Sequence, residues 1–366
     1  MTRESVTIMD VAREAGVSKS AAARVLARNG SASATTHERV MKAAAFLGYR
    51  PNQLARSMKS GATNTIGIVV PDVIIPFFSA ILRGVADNAR AAGFEVLVSN
   101  TDNDPDIEER SLELFAEKRV DGIAIAPVFQ QDPRAILRLA DEGMPVVLLD
   151  RRMTGLEHLP LVSVDHVDAA EKAVAALADL GHERIALLAE SAPALARLQE
   201  LAESSSSHPH LSLLRPSAQR IIGYLRAIKR HGIELDEDLI IHSGYTTTSA
   251  QAAVERFLAS GIEATALHAT NAVLTSGAYR GIRSRGLSVP EDMSFIGFDD
   301  QEWTTMVQPE VTVVEQPSQQ LGATAATVLT NLVRGAAADP LEHLLEAELL
   351  MRDSTASRVR PSIRLA

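Results

Sequence analysis

Residues 7–26 read TIMDVAREAGVSKSAAARVL, and this stretch decides how the head of the chain folds. A first helix is expected over 8–15, with Thr7 as N-cap and Asp10, three residues on, as the reciprocal acid of a capping box. Gly16 stops that helix, and Ser18 caps a second one over 19–27. A third helical segment covers 36–47 and ends at Gly48; Pro51 then forbids simple continuation and permits a fresh helix. Val11, Ala12, Val17 and Val25 offer a small buried face. Two short helices across such a turn form a helix-turn-helix, whose second helix enters the DNA major groove with its N-terminal residues at base edges. Other αα-hairpins share the bare pattern.

Charge supports the DNA reading. Residues 1–60 carry ten basic and four acidic side chains, or +6, while the remainder carries 26 basic and 42 acidic, or −16, within a net charge of −10. A basic head on an acidic body suggests that only the head meets a polyanion.

Working outward, the texture changes from Thr65 onward. Apolar runs at 66–70, 95–99, 122–126, 146–149, 161–164, 185–188, 266–269 and 294–297 alternate with helical patterns such as 79–92, 106–118, 168–180 and 272–285. Nearly continuous apolar strands between helices imply parallel sheets covered on both faces. At 366 residues, with roughly 150 per domain, so many repeats fit two α/β subdomains better than one sheet. The fold class expected is therefore α/β, with an all-α helix-turn-helix headpiece ahead of a two-subdomain core. Aromatics are 4%, so the core is built from Ala, Val, Leu and Ile, and the absence of cysteine removes disulfides and thiolate sites. No apolar run reaches the roughly 18 residues of a membrane span, and the first ten residues lack the apolar segment of a secretory signal. A cytoplasmic protein without membrane contact is expected. The Ser-rich stretch 203–210 reads as an exposed loop.

The segments 7–26, 38–72 (ERVMKAAAFLGYRPNQLARSMKSGATNTIGIVVPD) and 293–300 (MSFIGFDD), in this order along essentially the whole chain, strongly resemble the LacI/GalR family of bacterial transcriptional regulators. The resemblance implies a DNA-binding headpiece over 1–51, a hinge helix and linker over 52–62, and a core similar to periplasmic sugar-binding proteins. The N-terminal core subdomain is expected to comprise 63–164 with 294–320, and the C-terminal one 165–293 with 321–366. It also implies a regulator, most simply a repressor, whose affinity for a pseudo-palindromic double-stranded operator is controlled by a small-molecule effector such as a sugar or sugar derivative.

Carried over by position, Lys19, Ser20 and Arg24 read bases, for which Lys, Arg and Ser are chemically suited. Thr7, Ser18 and Thr36 join the DNA-binding set, Ser18 and Thr36 at phosphate-contacting positions; helix N-capping is the other role open to both. Ala21, Ala22 and Ala23 depart from the family's usual Thr-Val-Ser-like trio, so two hydroxyls are missing. In the hinge, Asn52, Ala55, Arg56, Met58 and Lys59 are the expected contacts, Met58 standing where the family wedges a Leu into the minor groove. So short a helix is unstable alone, and its folding is expected to be coupled to DNA.

Effector positions implied by the resemblance are Phe77, Phe78, Asp150, Arg220, Tyr245, Asn271 and Asp299, in the cleft at the carboxyl ends of the strands. Carboxylate, guanidinium and amide suit a hydroxyl-rich ligand, and aromatic rings suit an apolar sugar face. The bare residues equally allow Asp299 to cap the next segment and Arg220 to sit in a structural ion pair. Ala272 stands where the family often has Asp, and His182 is a structural landmark. The ten histidines form no ligand cluster with carboxylates, so no metal and no cofactor is expected. A nucleotide-dependent enzyme would need a glycine loop after the first strand, where PDVIIPFFS (71–79) stands instead, so enzymatic activity is not expected. A free binding protein would need an export signal. The run 344–351 is expected as the last strand. The resemblance implies a core that dimerises side by side, and the tail after that run has no heptads for a tetramerising helix, so a homodimer is expected.

Overall fold

The computed structural model describes residues 6–26, 32–49, 62–128, 132–190, 194–203 and 211–358. The hinge contacts Asn52, Ala55, Arg56, Met58 and Lys59, and residues 204–210 of the Ser-rich stretch, lie outside the described residues. The chain divides into two compact units, 1–63 and 64–366.

The first unit holds α1 (Ile8–Glu14), α2 (Lys19–Leu26) and α3 (Ala34–Phe46). Thr7 and Asp10 form the expected capping box, Thr7 Oγ1 donating to Asp10 Oδ2 at 2.7 Å and accepting from the Asp10 amide. The Asp10 carboxyl lies below its ordinary range because the Thr7 hydroxyl and amide hydrogen-bond to its ionised form. Gly16 turns the chain at φ +59°, and a Cβ there would meet Arg39 Nη2 at 2.5 Å. Arg39 donates to the Gly16 carbonyl, which ties α3 to the turn. Val11, Ala12, Ala22, Val25, Val40 and Ala43 close a small core, with Val17 packed partly buried against it. The third helix starts two residues earlier than expected. Ser33 is its N-cap, accepting from the Thr36 amide, so Thr36 sits inside the first turn and does not cap.

The second unit is built on two six-stranded sheets. β1 (Thr65–Val70), β2 (Glu95–Asn100), β3 (Gly122–Ile125), β4 (Val146–Leu149), β5 (Leu161–Val164) and β11 (Glu342–Leu345) form the first, in the order β11-β5-β4-β3-β1-β2, all parallel. β6 (Ile185–Glu190), β7 (Ile240–Ser243), β8 (Ala266–Ala269), β9 (Ser294–Phe298), β10 (Thr312–Glu315) and β12 (Glu348–Leu350) form the second, in the order β12-β10-β9-β8-β6-β7. Only its edge strand β12 runs antiparallel. The eight strands expected between 66 and 297 are present within two residues of their expected ends; β7 and β10 are additions.

Helices cover both faces of each sheet, as continuous apolar strands require. On the first sheet, α4 (Pro76–Ala92) and α12 (Ser318–Val333) bury one face, and α5 (Pro105–Glu117) and α6 (Arg134–Asp141) the other. On the second, α7 (His166–Asp179), α8 (Leu195–Glu203) and α9 (Pro216–Arg230) cover one face, and α10 (Thr247–Ala259) and α11 (Ala272–Ser284) the other.

The subdomain boundaries expected for the second half of the core are reversed in the structure. Residues 294–315, expected in the N-terminal subdomain, supply β9 and β10 to the second sheet. The chain then crosses back, so α12 and β11, expected in the C-terminal subdomain, pack on the first sheet. The expected strand 344–351 is two strands, broken at Glu346 and Ala347, where the chain crosses a third time. Close helix packing holds α12 in place: a Cβ on Gly84 would lie 2.0 Å from the Gln319 carbonyl, and one on Gly322 2.0 Å from that of Ile81. Glycine permits this backbone approach, and neither position announces its partner in the sequence.

Candidate functional site: an interdomain cleft and an exposed recognition helix

Between the sheets, at the carboxyl ends of their strands, lies a cavity of about 360 Å³. That is within the range of small-molecule sites, about 300–1,000 Å³. All seven expected effector positions line it: Phe77, Phe78, Asp150, Arg220, Tyr245, Asn271 and Asp299. Short local features set several of them. Pro76 opens α4 and places Phe77 and Phe78 in its first turn, with ring centroids 5.0 Å apart and edge to face. Asp150 and Asp299 directly follow β4 and β9, both in the left-handed region at φ 63° and 65°. Such backbone is uncommon outside glycine, though Asp tolerates it, and it concentrates at functional sites.

Hydrogen bonds hold the polar residues in place before any ligand arrives. Asn271 is the N-cap of α11: Oδ1 accepts from the Leu274 amide, and Nδ2 donates to Glu190 Oε1 at 3.0 Å. Asp299 accepts from the Ala272 amide at 3.1 Å, at the start of α11, and from Gln316 Nε2 at 2.7 Å, so it does not cap the segment that follows it and still has lone pairs free. Burial pushes the Asp299 carboxyl up, against the opposing pull of Arg220 and its hydrogen bonds. Burial raises Glu190 likewise, against the arginines 220, 151 and 215.

Arg220 forms no structural ion pair among the described residues. Its guanidinium lies 3.8 Å above the Phe298 ring, donates to the Thr270 carbonyl, and places Nη2 3.2 Å from His166 Nδ1. An arginine only donates, so His166 Nδ1 accepts and the ring proton sits on Nε2. That nitrogen faces Asp150 Oδ1 at 3.4 Å and Ser163 Oγ at 3.2 Å. Burial pushes Asp150 up, but the His166 hydrogen bond together with Arg151 and Arg220 outweighs it, and the carboxyl lies below its ordinary range.

In the headpiece, Lys19, Ser20 and Arg24 are exposed on α2, and neither cation is held by an ion pair among the described residues. Ser18 accepts from the Ala21 amide, capping α2 as expected. Ala22 is fully buried, and Ala21 and Ala23 are partly exposed. The central alanine is therefore a core residue, and its neighbours are where hydroxyls are missing.

Three family patterns account for this layout. Residues 7–52 match "Bacterial regulatory proteins, lacI family", 63–203 match "Periplasmic binding proteins and sugar binding domain of LacI family", and 174–355 match "Periplasmic binding protein-like domain". Catabolite control protein A of Priestia megaterium is 32% identical over 351 residues, covering 96% of this chain and 99% of its own. The chain belongs to the LacI family. Among solved structures, the lac repressor dimer bound to operator and the anti-inducer ONPF matches with a TM-score of 0.80 at 26% identity, over 96% of this chain and 100% of that one. A complex of the transcriptional regulator CelR with cellobiose matches with a TM-score of 0.68 at 26% identity, over 95% and 99%. This LacI-family chain is thus a DNA-binding transcriptional regulator with an effector-binding core.

The cleft also contains residues that sequence reading missed. Arg151, Glu190 and Gln316 line it, and His166 braces it from behind. Their common signal is position: Arg151 lies two residues past β4, Glu190 ends β6 and Gln316 follows β10. In an open α/β sheet those strand ends face the ligand crevice. His182 is structural, with Nδ1 2.8 Å from Thr265 Oγ1 and Nε2 3.0 Å from the Ala356 carbonyl. No described helix is long and apolar enough to cross a membrane. Among the described residues, no group of three His, Asp or Glu is placed to hold a metal.

Proposed function

We propose that this LacI-family regulator is a non-enzymatic, cytoplasmic homodimer that represses by binding a pseudo-palindromic operator and is released by a sugar or sugar derivative in the cleft. The observation that carries the effector half is the convergence of all seven expected side chains on one cavity between the subdomains. Relatives support the class: the lac repressor structure is a dimer on operator DNA, and that of CelR a complex with cellobiose. Phe77, Phe78 and Tyr245 stack on the ligand's apolar face, while Asp150, Arg220, Asn271 and Asp299 exchange hydrogen bonds with its polar groups. Lys19, Ser20 and Arg24 read base edges. Thr7, Ser18, Thr36, Asn52, Ala55, Arg56 and Lys59 position the backbone, and Met58 enters the minor groove.

Three crossovers join the subdomains, so a ligand that bonds both sides favours one relative orientation through differential contacts. Gel-shift titration on an operator selected from genomic fragments, with a sugar panel at fixed salt, tests the whole reading. A true effector should shift operator affinity by roughly 5–150-fold, the usual size of such coupling. In Asp299→Asn, operator affinity should persist and most of the effector response should be lost. A wild-type response from that variant removes Asp299 from the ligand contacts. Light scattering at low micromolar concentration should show two copies, and a stable tetramer contradicts the dimer.

A further inference from the structure

Arg220 presents a charge imbalance inside the cleft. Its side chain is only 6% exposed, yet its contacts are a carbonyl, an imidazole nitrogen and an aromatic face. No described carboxylate forms an ion pair with it, and its Nε is buried without a hydrogen-bond partner. Neighbouring Arg151 repeats the pattern: its Nε is buried and unpartnered, and its ion-pair contact is Asp150 Oδ2 at 3.9 Å, beyond hydrogen-bond reach.

The cleft acids, by contrast, already have donors. Asp299 accepts through both oxygens, Glu190 from Asn271, and Asp150 from His166. Burial also pushes Glu190 and Asp299 toward the neutral acid, which weakens them as counter-ions. Asp150 alone of the three lies below its ordinary range, and it faces Arg151 and Arg220 together, so one favoured carboxylate is shared by two guanidinium groups and free acceptor oxygens are short. A buried cation without a counter-ion is costly, and a guanidinium matches carboxylate and phosphate oxygens through its fork of N–H donors. A neutral sugar supplies acceptors but leaves that charge unbalanced, the more so once a ligand excludes water.

We propose that the ligand of this cleft is an anionic sugar derivative, a sugar acid or a sugar phosphate, whose anionic oxygens lie between Arg151 and Arg220. The proposal rests on the reading of the cleft as the effector site.

Isothermal titration of the full-length protein at fixed ionic strength, with matched sets, separates the two. Suitable sets are glucose, gluconate and glucose 6-phosphate; galactose and galacturonate; ribose and ribose 5-phosphate. The expected result is at least one set whose anionic member binds tenfold or more tightly than its neutral parent. Carboxylate against phosphate within a set then identifies the anion. That preference should vanish in Arg151→Gln and return in part in Arg151→Lys, with thermal melting used to confirm that both fold. A neutral parent binding as tightly as its anions overturns the proposal and leaves the effector reading standing. Survival of the preference in Arg151→Gln overturns the placement beside Arg151. Failure of every sugar, neutral and anionic, overturns the effector reading itself and the proposal with it.

Discussion

Arg220 Nη2 lies 3.2 Å from His166 Nδ1, and this contact joins a ligand-facing residue to a crossover between the subdomains. His166 opens α7 immediately after the chain leaves the first sheet, while Arg220 projects from α9 on the second. Because Nδ1 accepts from Arg220, the Nε2 proton is directed at Asp150, on the first sheet's side. One imidazole therefore connects the two halves of the cleft.

Replacing it should cost both connections. His166→Leu leaves Arg220 Nη2 without its imidazole acceptor, Nη1 keeping the Thr270 carbonyl, and removes the donor facing Asp150, and both groups stay buried. The expected loss is roughly 1–3 kcal/mol from groups left unsatisfied. Urea unfolding of the isolated variant measures it. A midpoint equal to wild type would mean that these groups find new partners.

Two buried groups should give stability opposite pH dependences. Burial lowers His268 to about 4, with Nδ1 on the Ile296 carbonyl and Nε2 unpartnered. A folded value below the unfolded one, roughly 6.5, makes this contribution complete above that pH and lost as pH falls toward 4. Burial raises Glu108 to about 7, despite the Val128 amide donating to Oε2 and the charge of Arg151. Its contribution runs the other way: complete below the unfolded value of roughly 4.3 and lost as pH rises through 7. The two offset one another in wild type between about pH 4.5 and 6.5. Glu108→Gln, which keeps an acceptor, should be stabilised at pH 8 and lose stability more steeply toward pH 5. His268→Gln should do the reverse. Parallel unfolding curves for both variants across that range would refute the assignment.

The crossing of α4 and α12 predicts a steric cost. A methyl at Gly84 or Gly322 would meet a carbonyl oxygen at 2.0 Å, far inside van der Waals contact. Backbone must move, so Gly84→Ala and Gly322→Ala should each destabilise by about 1–3 kcal/mol or prevent folding. The control is Gly143→Ala, an exposed turn glycine with no atom within 4 Å, whose cost arises from its φ of +90° alone. Thermal melts of the three variants rank the effects.

On DNA, Arg24→Ala and Lys19→Ala should each weaken operator binding by about 1–3 kcal/mol and relax preference at one or two base pairs. Lys59→Ala should weaken specific and random DNA alike and flatten the salt dependence. Competition gel shifts against single-base operator variants distinguish these outcomes. Equal losses on operator and random DNA for Arg24→Ala would count against base reading by that residue.

Local chemistry made most elements legible in the sequence alone. The Thr7–Asp10 box, the Gly16 turn and the apolar strand runs need only neighbours a few residues away, so periodicity and capping rules reach them. The residues that meet in the cleft were named through family resemblance; their side-chain types alone would have left Asp299 as a cap and Arg220 as an ion-pair partner. Tertiary structure decided which sheet each late element joins. The apolar faces of β9 and α12 suit either core, and the choice lies in strand pairing with β8 and β10 and in the Gly84–Gly322 crossing, between residues more than two hundred positions apart. It also decided the electrostatics of the cleft. Whether a guanidinium has a counter-ion depends on distances of a few ångströms between α9, β4 and β9, and no spacing along the chain encodes them.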